Sequence, residues 1–186
     1  RPFLVSFNGK SYDLSVLQSR LVIQRFLSHA ESDLKLRPHL DLLHLGRNLY
    51  KGIWADTRLQ TLEARTLGFG RIDDLPGALV PTAWYHFLRT ADAAPVAKAM
   101  EHNLYDVLSM VTLADRLAVD SAPCPAEPVL PEARVNAARL WLRRGHAGPA
   151  LEMITGLEDA PLTRDSRQAL LHAEATAARR TGDRPR

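Results

Sequence analysis

The stretch FLVSFNGKSYDLSVLQSRL, residues 3–21, leaves a chain like this few ways to fold. FLVSF is an apolar run of β-branched and aromatic side chains that suits a buried strand. Asn8-Gly9 is a turn dipeptide. From Tyr12 onward Leu14, Leu17, Leu21 and Phe26 recur at helical spacing. A strand therefore hands over to a helix within a few residues, and a carboxylate, Asp13, stands at the junction. The fold class this predicts is α/β, dominated by helix.

The rest of the chain reads the same way. HLDLLHL, residues 39–45, follows Pro38 and suits a short buried strand running into a helix that ends near Tyr50. Lys51-Gly52 is a plausible stop for it. LQTLEARTLG, residues 59–68, predicts a short helix closed by Gly68, and residues 82–90 another. From Ala93 to Val119, Val96, Met100, Leu104, Val107, Val111 and Ala114 follow one helical stripe.

Residues 120–131, DSAPCPAEPVLP, carry four prolines and read as a semi-rigid linker. The expected organisation is thus one domain over 1–119, a linker over 120–131 and a helical segment over 132–186. That segment predicts helices at 132–144, 147–157 and 164–181, broken at Gly145 and Gly156. Its helix, glycine turn and Ala150-Leu151 step resemble half of a tetratricopeptide-type repeat, a unit that buries its face only by stacking.

With 186 residues the chain is longer than a typical single domain of roughly 100–150 and short for two. It contains no apolar run of about 18 residues, which excludes a membrane-spanning helix. The N-terminal stretch lacks the pattern of a signal peptide, and it begins with Arg1, as a piece of a longer protein would. A lone cysteine, Cys124, excludes an internal disulfide and a cysteine zinc cage, so a cytoplasmic home is expected. A net charge of +3 permits a polyanionic partner without requiring one.

Two acids stand out by position. Asp13 ends the first strand-turn unit, and Asp106 lies four residues after His102 on the long helix, so the two share a face. Ser109 falls on that face too, which points away from the apolar stripe. Taken locally, Asp13 could equally cap the helix beginning at Leu14, and His102 with Asp106 could be an exposed pair on a surface helix.

FNGKSYDLSVL resembles the second motif of the DEDD 3′–5′ exonucleases of the ribonuclease H-like superfamily, and HNLYDVLSMVTL resembles their third. Between them HLDLLHLGRNLYKG, LQTLEARTLGFGRIDDLPGA and VPTAWYHFLRT look like the YprB-type subfamily, which often carries a repeat-containing tail. The likeness covers residues 3 to about 118. It implies a two-metal exonuclease acting on DNA or RNA, with Mg2+ or Mn2+ ions about 3.5–4 Å apart. Asp13 and Asp106 would then be metal ligands and His102 the general base. Asn8 would position substrate or brace the Asp13 loop, and Lys10, Tyr12 and Ser109 would meet substrate, Lys10 as a point charge on a phosphate.

One motif departs from that pattern. The family's opening Asp-x-Glu strand has no counterpart, because Glu31 and Asp33 come after the second motif. The expectation is a ribonuclease H-like fold lacking its first strands, a fragment that is inactive by itself. The rival is a non-catalytic module in which the degenerate nuclease fold is a platform and the tail recruits nucleic acid or a protein. Asp41 is expected to buttress the fold, and Asp73-Asp74, before Leu75-Pro76, to form a capped turn without chemistry.

Overall fold

The computed structural model describes residues 4–26 and 38–182. Phe3, Glu31 and Asp33, which figure in the sequence reading, lie outside the described residues. Strand β1 (Leu4–Ser6) pairs in parallel with β2 (His39–Asp41), Leu4 opposite His39 and Ser6 opposite Asp41. Helix α1 (Asp13–Ile23) follows β1, and α2 (Leu42–Tyr50) leaves β2 without an intervening loop. A short α3 (Leu59–Leu62) runs on into a π-helical turn, Glu63–Leu67, which Gly68 closes at φ +64°. A 3₁₀ turn at Gly77–Leu79 precedes α4 (Val80–Thr90) and the 28-residue α5 (Ala94–Ser121). Helices α6 (Pro131–Arg143), α7 (Ala147–Ile154) and α8 (Arg164–Thr181) complete the chain.

The helix ends follow from residue chemistry. Gly52, Gly68, Gly145 and Gly156 all adopt positive φ, where a side chain would be strained. Pro131 starts α6 at a position that needs no N–H donor.

One hydrophobic cluster runs from Leu42, Leu49 and Tyr50 through Leu113 and Leu117 to Ala137, Met153 and Leu170. Small residues let α6, α7 and α8 approach closely, with Ala133, Ala137, Ala138, Ala150, Ala173 and Ala177 all fully buried. The proline-rich segment between α5 and α6 holds no regular element, yet α6 packs back on α2. Asn136 donates to the carbonyls of Leu49 and Lys51 at 2.9 and 3.1 Å, closing the end of α2. The Tyr50 hydroxyl donates to Asp120 at 2.5 Å; burial and that carboxylate push the phenol well above its ordinary range.

The apolar stripe expected to bury α5 does not do so. Met100 is 70% exposed and Val111 69%, while the helix buries Ser109, Leu113, Leu117 and Asp120 instead. Helix α1 buries nothing, and Phe26 is 77% exposed. Periodicity marks an apolar face but not what covers it, and no described element covers these faces. Among the described residues the sheet has two strands, so each keeps an unpaired outer edge. Among the described residues no helix is long and apolar enough to cross a membrane.

Candidate active site

The turn after β1 is held from below by Asp41. Its carboxylate accepts from the backbone N–H of Asn8 at 2.8 Å, of Lys10 at 3.0 Å and of Leu43 at 3.2 Å. The last of these caps α2; the first two pin the turn that leads to α1. Asn8 sits at φ +66°, a conformation that asparagine tolerates better than most residues. A Cβ on Gly9 would come within 2.5 Å of Ser6, so only glycine fits between β1 and the Asp13 carboxylate. Asp41 is thus a buttress, as its sequence context suggested. Asp41→Ala is expected to cost about 3 kcal/mol by stranding three N–H groups, measurable as a shift in the urea midpoint.

Asp13 becomes the first residue of α1 and makes no capping hydrogen bond, so the cap reading fails and its carboxylate stays exposed to the cleft. Asp13 lines a cleft of about 510 Å³ together with His102 and Asp106 of α5. Ser6 of β1, Phe7 just after it and Arg58 and Gln60 at the start of α3 are among the residues of its walls.

Behind the α5 residues lies a charged network that the sequence reading did not anticipate. Arg71, with its side chain 4% exposed, forks onto Glu63 at 2.5 and 2.9 Å. The same guanidinium donates to Asp106 Oδ1 at 2.6 Å. Burial works against the charge on Arg71, but Glu63 and Asp106 outweigh it and raise the guanidinium further above its ordinary range. Glu63 is 1% exposed, so this is a buried, bidentate pair.

Asp74 lies 2.7 Å from His102 Nδ1 and accepts from Gln60 at 3.0 Å. A carboxylate only accepts, so His102 carries its proton on Nδ1, and Arg71 Nη1, 3.3 Å away, is a neighbouring charge rather than a donor to that nitrogen. Nε2 then faces Asp106 Oδ2 at 3.6 Å. Burial opposes ionisation of Asp74, yet His102 and Arg71 hold its carboxyl below the usual carboxylate range. The capped-turn reading of Asp73-Asp74 is therefore corrected for Asp74, whose partner lies 28 residues away in sequence. Local sequence shows no signal for that contact.

The remaining expected site residues scatter. Asn8 holds the turn, and Tyr12 is 65% exposed outside the cleft lining. Lys10 lines a different crevice, beside His44 and Arg144. Ser109 is buried at 6% exposure, and its carbonyl accepts from the Thr112 hydroxyl. It shares the helix with His102 and Asp106 but faces the interior, so its expected place on the substrate is corrected.

A family profile for the RNase H superfamily matches residues 1–118, the span that carries β1 through most of α5 and every cleft residue. The chain belongs to the RNase H superfamily. It is also similar to the uncharacterised protein YprB of Bacillus subtilis (strain 168), 34% identical over 112 residues. That match takes in 59% of this chain and 26% of YprB, so the chain spans about a quarter of that relative's length. No solved structure matches the chain. The superfamily's divalent-metal chemistry can be tested against these residues. Asp13 and Asp106 offer the hard oxygens such ions prefer. Among the described residues no three His, Cys, Asp or Glu side chains gather as a metal cage, so two carboxylates fit only part of a site.

Proposed function

We propose that the chain is a fragment of a metal-dependent 3′–5′ exonuclease of the DEDD type, acting on DNA or RNA. The observation that carries this reading is the convergence of Asp13, His102 and Asp106, remote in sequence, on one cleft. Asp13 and Asp106 would hold the ions, Mg2+ or Mn2+. When bound, such ions polarise the phosphoryl group and lower the pKa of a coordinated water. His102, oriented through Nδ1 by Asp74, presents Nε2 for proton transfer at the attacking water. The cleft walls from β1 and α3 hold the 3′ end against the carboxylates.

The missing ligands would come from an Asp-x-Glu strand outside these residues. The uncovered apolar faces of α1 and α5 and the open edges of the β1–β2 pair support such a neighbour. The tight alanine packing of α6–α8 supports a tetratricopeptide-like tail, a surface that could also take a protein partner. A non-catalytic platform is favoured by a different observation: Arg71 already occupies Asp106 Oδ1. A 5′-labelled oligonucleotide of DNA and one of RNA, each incubated with the intact protein, separate the two readings. The nuclease shortens one of them stepwise from its 3′ end with Mg2+ or Mn2+, stops on chelation, and loses activity in Asp13→Ala. An unshortened substrate under all these conditions leaves the platform.

A further inference from the structure

Two concave surfaces flank the C-terminal half of α6, and neither belongs to the cleft. The first, about 370 Å³, is walled by Lys10 from the turn after β1, His44 and Asn48 from α2, Trp141 from α6 and Arg144 just past its end. The second, about 260 Å³, lies between α6 and α8, where Arg139 and Arg143 face His172, Thr176 and Arg180. Arg143 donates to the Asn48 side chain at 2.6 Å, which joins the two hollows across α2 and α6.

Charge in this region is one-sided. Among the described residues the only acid lining either hollow is Asp41, 2% exposed and committed to the N–H groups of Asn8, Lys10 and Leu43. Lys10, Arg139, Arg143, Arg144 and Arg180 form no ion pair among the described residues. What sets this face apart is that such cations cluster there, since isolated arginines elsewhere, such as Arg65 and Arg89, also lack an ion pair among the described residues, while Arg58, Arg71 and Arg116 each lie against a carboxylate. Cations left unpaired along a concave path suit a polyanion whose charges repeat.

Position selects which polyanion. Lys10 stands on the turn that places Asp13, so the basic path begins at the edge of the candidate active site. A strand whose 3′ end occupies the cleft has its next phosphates to place. We propose that the α2–α6–α8 face is a second binding surface for single-stranded nucleic acid, tracking its phosphates away from the cleft. The inference rests on the nuclease reading for its direction and on the cationic path for its chemistry. Guanidinium groups can grip successive phosphates bidentately, and the half-buried Trp141 forms an apolar floor beneath the path.

Fluorescence anisotropy in chelator, where nothing is cleaved, tests this surface separately from hydrolysis. The probes are a single-stranded 20-mer and a tetramer, titrated with the intact protein and with Arg139→Gln/Arg143→Gln/Arg144→Gln. Losing three phosphate contacts is expected to weaken 20-mer binding about tenfold or more at 0.1 M salt. The slope of log affinity against log salt is expected to fall by about 2. Tetramer binding, confined to the cleft, stays unchanged, and so does the melting temperature. Equal 20-mer affinity and slope in the two proteins overturns the proposal, whatever the hydrolysis assay shows. An acidic polypeptide that displaces the 20-mer from the wild type at equal charge concentration, and is itself lost in the variant, overturns it in favour of a protein ligand.

Discussion

Arg71→Met is expected to destabilise the protein by about 3–5 kcal/mol, the cost of leaving a buried charge without its partner. Glu63, at 1% exposure, depends on the two hydrogen bonds that Arg71 supplies. Met fills much of the same volume, so the loss reflects charge and hydrogen bonding rather than a cavity. For a chain of this size the melting temperature falls by about 10 °C. Arg71→Lys keeps the charge but cannot fork onto the carboxylate, and falls between the two. The double variant Arg71→Met/Glu63→Leu removes both charges and recovers much of the loss. If Arg71→Met alone melts within 1–2 °C of the wild type, the pair is not a structural element.

The network around Arg71 also marks where sequence reading stops. Elements were legible because their signals are local: the apolar β-branched and aromatic run in FLVSF, the Asn8-Gly9 turn, and glycines at the ends of α2, α7 and the π-helical turn. The convergence of Asp13 with His102 and Asp106 was legible only through motif resemblance, since about 90 residues separate them. Arg71, Glu63 and Asp74 were missed because charged residues default to solvent, and their burial depends on α3, α5 and the intervening loop packing together. Ser109 failed for the converse reason. Helical spacing puts it near Asp106, but it cannot say how far around α5 the interior reaches. The α5 stripe shows the same limit, since Met100 and Val111 form a face that no described element covers.

Asp106→Asn carries the largest expected effect on activity, a loss of at least about a thousandfold in hydrolysis by the intact protein. Two roles meet at this side chain. Oδ1 receives Arg71, and Oδ2 faces His102 Nε2. Asparagine keeps an oxygen that accepts from Arg71, and Glu63 still holds the guanidinium from its other side, so the fold survives with a melting shift of a few degrees. On the proposed nuclease reading, what asparagine lacks is the negative charge to hold a divalent ion and to balance the imidazolium as His102 takes a proton. Several kcal/mol of transition-state stabilisation depend on such a ligand, which is a factor of about a thousand or more in rate. If Asp106 were only a counter-ion for Arg71, the order would reverse: Asp106→Asn would lower the melting temperature while hydrolysis kept its rate. Measuring both quantities on one preparation therefore decides which role Asp106 serves, because Arg71→Met already gives the melting shift that losing the buried pair produces.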